Sequence, residues 1–382
     1  MHNYAFAVLA IVVPAVPMMI AYATSRRKAN LGAAAVPLLS QRPVAAAAKA
    51  ANNDLAPTLA DNPAGDLAGD RRHVLALIRK CARRQDWDRV LELAAGIDGT
   101  LALQGYRTDR VLVAEAAVLA ARARRDRRRE CLWLGKLGGA YLDAGQVERA
   151  GEPVQQALAA AREIGDAQSE LAWLGTLGSI FGQLGESEQA RRYHQEALNR
   201  ARAIGDAPNE AAALGNLGLV DRSLGHSEAA IHFFVQARAV AGSAGDRRGE
   251  GVWLGNLGVV YTDLGRVEQA LRYLQPALAM ARETGDRRSE GLWMGSLGIV
   301  YHRLGQLEQA VDHFQGALAA ARELGDEESE GTWLRSLGDT YGELGRVEQA
   351  ISCYRHALAL VGDSRSPFAE QVSLRLAALR GS

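Results

Sequence analysis

Residues 246–285 read DRRGEGVWLGNLGVVYTDLGRVEQALRYLQPALAMARETG, and residues 286–325 read DRRSEGLWMGSLGIVYHRLGQLEQAVDHFQGALAAARELG. The second stretch is the first moved along by 40 residues without a gap. The register continues outward in both directions. Leu stands at 137, 177, 217, 257, 297 and 337, and Gly follows each one. A second Gly marks 145, 185, 225, 265, 305 and 345, and Ala fills 150, 190, 230, 270, 310 and 350. A fixed period of this length is the signature of stacked like units that each lean on the next. Such an array offers a long surface for binding and no closed catalytic pocket.

Each unit reads as two helices. Gly245-Asp246 stops one helix and starts another: Gly supplies the left-handed C′ residue and Asp caps the helix that follows. Glu250 falls in the first turn, where a carboxylate meets the positive end of the helix dipole. Leu254, Leu257, Gly258 and Tyr261 then recur at helical spacing, with Trp253, Leu257 and Val260 as a second apolar stripe. A face that wide buries against two neighbours. Gly258 is read as a point of close backbone approach. Gly265 ends this first helix. The second runs from about Val267 to Arg282, with Ala270, Leu274, Ala277, Leu278 and Ala281 on its buried side. Pro276 and Pro153 stand inside second helices and should bend them, whereas Pro208 falls harmlessly in a first turn.

The order Leu-Gly-x-x-Tyr, then Gly, then two Ala seven residues apart, resembles the tetratricopeptide repeat, here with 40 residues per unit instead of about 34. It is similar to the extended repeats of kinesin light chains, of Pins-type adaptors and of bacterial signalling arrays. The resemblance implies an all-α, right-handed α-solenoid of helix-turn-helix repeats. It also implies that a peptide or an amphipathic helix binds in a concave groove lined by the first helices. The groove positions would be Lys136, Asn216, Leu219, Arg222, Asn256, Val259, Asp263, Ile299, His302, Arg303, Asp339 and Glu343. Many peptide-clamping repeats carry Asn two residues after the Leu; here that column holds Gly139, Ser179, Leu219, Val259, Ile299 and Asp339. A column apolar at its centre and charged toward one rim points to an amphipathic helix as ligand. Lys136, Asn216 and Asn256 either donate hydrogen bonds to that ligand or sit solvated, and solvation is the expectation for isolated polar residues at a surface.

The chain divides accordingly. Residues 1–28 form a membrane anchor or signal sequence, 29–68 an Ala/Pro-rich linker, 69–126 degenerate repeats, 127–362 six repeats, and 363–382 a capping helix. Tyr4–Ala23 is an uncharged apolar run long enough to span a bilayer, and Arg26, Arg27 and Lys28 follow it. That bias puts the repeats in the cytoplasm on a single-pass membrane anchor. The alternative is export: Ala21-Tyr22-Ala23 has the small-x-small form of a signal-peptide cleavage site.

Residues 1–130 carry 20 Lys and Arg against 12 Asp and Glu, and the remainder 24 against 32, so the chain is neutral only as a whole. Arg122, Arg124, Arg125, Arg127, Arg128 and Arg129 form a basic patch that would suit nucleic acid or anionic lipid. Asp246-Arg247-Arg248 and Asp286-Arg287-Arg288 repeat the same turn, and no aromatic residues are interleaved to stack on bases. A nucleic-acid partner is therefore not expected. Cys81, Cys131 and Cys353 lack the spacing of a disulfide framework or a zinc site. There is no GxxxxGK[ST], HExxH or GxSxG. The sequence thus describes a scaffold for a protein partner, with no catalytic residues, metal, cofactor or small-molecule substrate.

Overall fold

The computed structural model describes residues 67–361 and 367–381. The apolar run Tyr4–Ala23 and the 29–68 linker up to residue 66 lie outside the described residues. Among the described residues there are sixteen helices and no strand, and no helix is long and apolar enough to cross a membrane.

They fall into two compact units, residues 67–209 and 210–381. The first holds α1 (Leu67–Arg83), α2 (Trp87–Leu103), α3 (Arg107–Ala123), α4 (Arg127–Asp143), α5 (Val147–Glu163), α6 (Ala167–Gln183) and α7 (Ser187–Ile204). The second holds all but the first three residues of α8 (Ala207–Ser223), then α9 (Ser227–Ser243), α10 (Arg247–Asp263), α11 (Val267–Glu283) and α12 (Arg287–Arg303). It continues with α13 (Leu307–Leu324), α14 (Glu327–Glu343), α15 (Val347–Val361) and α16 (Pro367–Gly381). Each unit is an α-solenoid of antiparallel helical hairpins.

The constant register has a simple local cause. Most helices last 17 residues and most turns three, so each helix plus turn fills half a repeat. The middle turn residue takes the left-handed conformation, as at Gly145 and Gly265 with φ near 72° and 70°. In the degenerate region Gln85 and Arg125 occupy that conformation instead, at φ 57° and 54°. Asp246 accepts a hydrogen bond from the Gly249 amide at 2.8 Å, and Asp126, Asp166, Asp286 and Asp326 cap their helices in the same way. Among the described residues α5, α7, α9, α11 and α13 have no side-chain cap hydrogen bond. They rely on a first-turn carboxylate, Glu148, Glu188, Glu228, Glu268 and Glu308 in turn, and α15 has Glu348 in the same place. The helices continue through Pro153 and Pro276, with the same length as their neighbours.

Packing rests on two glycine columns along the first helices. The glycine of each Leu-Gly pair makes room for a side chain of the second helix in its own hairpin: Val154 on Gly138, His194 on Gly178, Phe234 on Gly218, Leu274 on Gly258, Phe314 on Gly298 and Tyr354 on Gly338. The close approach expected at Gly258 is thus made mainly by a side chain. The other glycine, three residues earlier, receives the indole of the next repeat: Trp173 on Gly135, Trp253 on Gly215, Trp293 on Gly255 and Trp333 on Gly295. A β-carbon at any of these sites would overlap the neighbour. In the last repeat this column holds Arg335, whose guanidinium lies 5.7 Å from the centre of the Phe368 ring on α16. The indole lock is replaced by a cation–π contact where α16 covers the end of the stack.

Candidate functional site

The surface that the repeat pattern marks for binding is the outward stripe of the first helices. In the first unit its residue is Lys136. Far from solvated, Lys136 is only 3% exposed. Its ammonium lies 3.0 Å from Asp98 and 4.6 Å from the Trp133 ring centre. Asp98 also accepts from Arg110 Nε at 3.0 Å, and Arg110 continues to Asp143. Two cations and two carboxylates from α2, α3 and α4 therefore form one balanced, largely buried cluster, the arrangement that makes a buried charge tolerable.

In the second unit Asn216 and Asn256 are also buried, at 5% and 2% exposure. Asn256 donates from Nδ2 to the Val252 carbonyl at 3.0 Å, one turn back. The same column holds Ser296 and Ser336, which bond back to Leu292 and Thr332. The expectation of solvated residues here is corrected. Within the second unit α10 packs on three sides, against α9, α11 and α12, so a polar residue before the Leu is enclosed and turns to its own backbone. Among the described residues the side-chain carbonyl oxygens of Asn216 and Asn256 have no hydrogen-bond partner.

The remaining residues of the stripe divide by depth. Leu219 and Val259 are buried, whereas Ile299 on α12 and Asp339 on α14 are half-buried. The rim charges join neighbouring first helices. Arg222 Nε lies 2.7 Å from Asp263 Oδ2, and His302 Nε2 lies 3.4 Å from Glu343 Oε1. Arg303 donates to the Thr262 carbonyl. Asp339 accepts from the Tyr354 hydroxyl at 2.6 Å and pairs with Arg375 of α16. Burial and this carboxylate push the Tyr354 hydroxyl well above its ordinary pKa. The open part of the stripe is thus an apolar centre at Ile299 bordered by Arg303, Glu343, His302 and Asp339.

The basic run Arg122–Arg129 serves the junction between hairpins. Arg122 and Arg127 both bind Glu130, at 2.8 and 2.9 Å. Burial acts to raise the Glu130 pKa, but the two guanidinium hydrogen bonds outweigh it and hold the carboxyl below its usual range. Arg127 also reaches Glu163 at 2.7 Å, Arg124 reaches Asp88, and Arg129 reaches Asp126. Arg125 and Arg128 are exposed. The same junction recurs where Arg282 and Arg287 grip Glu290. The first-turn Glu read from sequence as a dipole partner is therefore also the centre of an ion-pair clamp.

Sequence reasoning missed Asp98, Arg110, Asp143 and Arg375. The available signal was a charge on an otherwise apolar face, as at Asp98 among Ala94, Ile97 and Leu101. Among the described residues no group of three His, Cys, Asp or Glu side chains could hold a metal ion.

A family profile described as tetratricopeptide repeat matches residues 128–203, 169–243, 249–323 and 291–361, together more than half of the chain. Solved structures share the fold at low identity. Aspartyl phosphate phosphatase F from Bacillus subtilis is 17% identical, with a TM-score of 0.60 over 77% of this chain and 75% of that one. A signal transduction ATPase with a tetratricopeptide repeat sensor, from Pyrococcus horikoshii, is 16% identical, with a TM-score of 0.56 over 82% of this chain. The match spans 49% of that ATPase, about half its length. A Rap protein complexed with competence and sporulation factor is 13% identical, with a TM-score of 0.50 over 82% of this chain and 98% of that one. No curated protein sequence matches the chain.

Proposed function

The chain belongs to the tetratricopeptide repeat family, and from that premise we propose that it is a scaffold that binds a peptide or an amphipathic helix along its first helices. The observation that carries this reading is the half-buried Ile299 on α12, bordered by Arg303, Glu343 and Asp339. An apolar anchor with charges of both signs around it suits one turn of an amphipathic helix. The Rap protein complex, similar in fold, is a solved example of such an array with a bound factor. The right-handed superhelix and the concave groove belong to this proposal.

The basic run favours the scaffold reading over a polyanion-binding one, because four of its six guanidiniums already hold carboxylates. A nucleic-acid or anionic-lipid site needs free cations in a row.

The proposal extends to location. Tyr4–Ala23, followed by Arg26, Arg27 and Lys28, would tether the repeats to the cytoplasmic face of a membrane. In cell fractionation the full chain should then pellet with membranes. Protease should reach the repeats in inside-out vesicles and not from outside. Release of the repeats into the exported fraction would contradict this part alone.

The binding proposal is tested by panning a random 16-residue peptide display library on the full chain and on its Ile299→Glu variant. A class of the selected peptides should carry apolar residues at helical spacing and lose binding to the variant. Val259 is too deeply buried for a charge there to report on binding. A selection in which every peptide is retained equally by both proteins would contradict the assigned face.

A further inference from the structure

We propose that a cleft between the second helices α9 and α11 is a separate binding site for an acidic segment of a partner polypeptide, taking an apolar side chain beside Pro276 and a carboxylate at Arg272.

In the first unit neighbouring second helices are strutted together. Arg122 on α3 donates to Gln156 on α5, and Arg162 on α5 pairs with Glu196 on α7 at 2.9 Å. The repeat register puts Gly242 where Arg162 stands and Pro276 where Glu196 stands, so both ends of the strut are missing between α9 and α11. A third departure falls at the same place. Arg238 occupies a column held by Leu158, Leu198, Leu278 and Leu318 in other repeats. Two of these three breaks, Arg238 and Pro276, line one cleft of about 570 Å³, and Gly242 stands beside Glu250, which lines it too. Between α11 and α13 the arrangement differs: Met294 fills the space over Gly316 and touches the Arg282 guanidinium.

The lining selects the ligand class. Leu254, Tyr273, Pro276 and Met280 give the cleft an apolar wall. Its two carboxylates are already engaged: Arg247 lies 3.1 Å from both Glu250 and Glu283, and Arg238 lies 3.4 Å from Glu250. Arg272 is exposed and makes no ion pair among the described residues. One unspent cation matches one carboxylate. A phosphate group, with its higher charge, would meet Glu250 and Glu283 across the same space. An acidic side chain next to an apolar one satisfies both the wall and Arg272.

The test restores the strut. The double variant Gly242→Arg, Pro276→Gln should fold, since a β-carbon at Gly242 meets only Glu250 at 3.9 Å and loss of a helix-interior proline favours the helix. Random 12-residue peptides are selected on the Ile299→Glu variant, which removes binders of the first-helix face, and are measured by fluorescence polarisation on the full chain and its variants. Selected peptides should pair Asp or Glu with a neighbouring Leu, Ile or Phe. Their affinity should fall at least tenfold in the double variant and about tenfold in Arg272→Glu, with thermal melting unchanged or raised. The full chain and Ile299→Glu should bind them equally, which separates this site from the face proposed above. Equal binding to the strut-restored protein, selection of basic peptides, unequal binding to the full chain and Ile299→Glu, or displacement by millimolar inorganic phosphate would each overturn the proposal.

Discussion

The indole of Trp293 fills the space where a β-carbon on Gly255 would stand. The two residues are 38 apart in sequence and lie on the first helices of adjacent repeats, α12 and α10. The contact is the unit of cohesion between hairpins, and it explains why a helix tolerates glycine in its interior. The helix loses propensity at Gly255 and gains a slot for a large apolar ring.

Gly255→Ala should therefore destabilise, by about 2 kcal/mol, because the indole must leave its slot. Gly99→Ala in α2 is the matched control. Its β-carbon meets nothing within 4 Å, and it should stabilise by about 0.5–1 kcal/mol. Urea unfolding of both variants measures the contrast. Equal effects would mean that the indole slot is not what Gly255 provides.

His194 should make the first unit sensitive to acid. Its ring is 1% exposed, sits on Gly178, and has no hydrogen-bond partner at either nitrogen among the described residues. Burial lowers its pKa from 6.5 to about 4. The unfolded chain then binds the proton more readily than the folded one. The neutral ring's contribution is complete above pH 6.5 and is lost as pH falls toward 4, a change on the order of 3 kcal/mol. His194→Phe, the residue type found at Phe234 and Phe314 in this column, should remove that slope. Stability measured between pH 7 and pH 4 in both proteins decides it, and parallel profiles would count against His194 as the cause.

Asp286 should matter more than Asp246, although both cap first helices. Asp286 is buried, accepts from Ser289 N at 3.2 Å and from Ser289 Oγ at 3.0 Å, and also takes Arg248 Nε at 2.7 Å. Asp246 is exposed and has its cap contact at Gly249. Asp286→Ala should cost about 2 kcal/mol and Asp246→Ala about 1 kcal/mol. Thermal denaturation gives the order, and a reversed order would exclude the inter-repeat ion pair as a contributor.

Lys136→Met should destabilise the first unit by about 3 kcal/mol, since it leaves Asp98 and Asp143 with Arg110 alone in a buried setting. Were Lys136 a ligand contact held at the surface, the same change would weaken binding and leave unfolding by urea unmoved.

The helices were legible in the sequence because their signals are local. The helix read as about Val267 to Arg282 runs from Val267 to Glu283, and a glycine marks most of the other turns. The side-chain roles were less legible because they depend on pairings across turns and between repeats, from Arg122 on Glu130 at 8 residues to Arg303 on Thr262 at 41. Glu130 looks like a dipole partner until Arg122 and Arg127 are seen on it. Lys136 looks solvated until Asp98 is brought against it. Arg335 is informative in retrospect. It breaks a column of five glycines in the last repeat, where the next helix brings Phe368 and not an indole. Such breaks in a strict period were present in the sequence, but their meaning required knowing which columns face each other.

The most direct measurement is hydrogen–deuterium exchange on the full chain, with and without a saturating peptide selected for dependence on Ile299. The account predicts added protection on α12 and α14, centred on residues 299–303 and 339–343. Protection confined to the second helices, or none within the repeats, would contradict binding along the first helices.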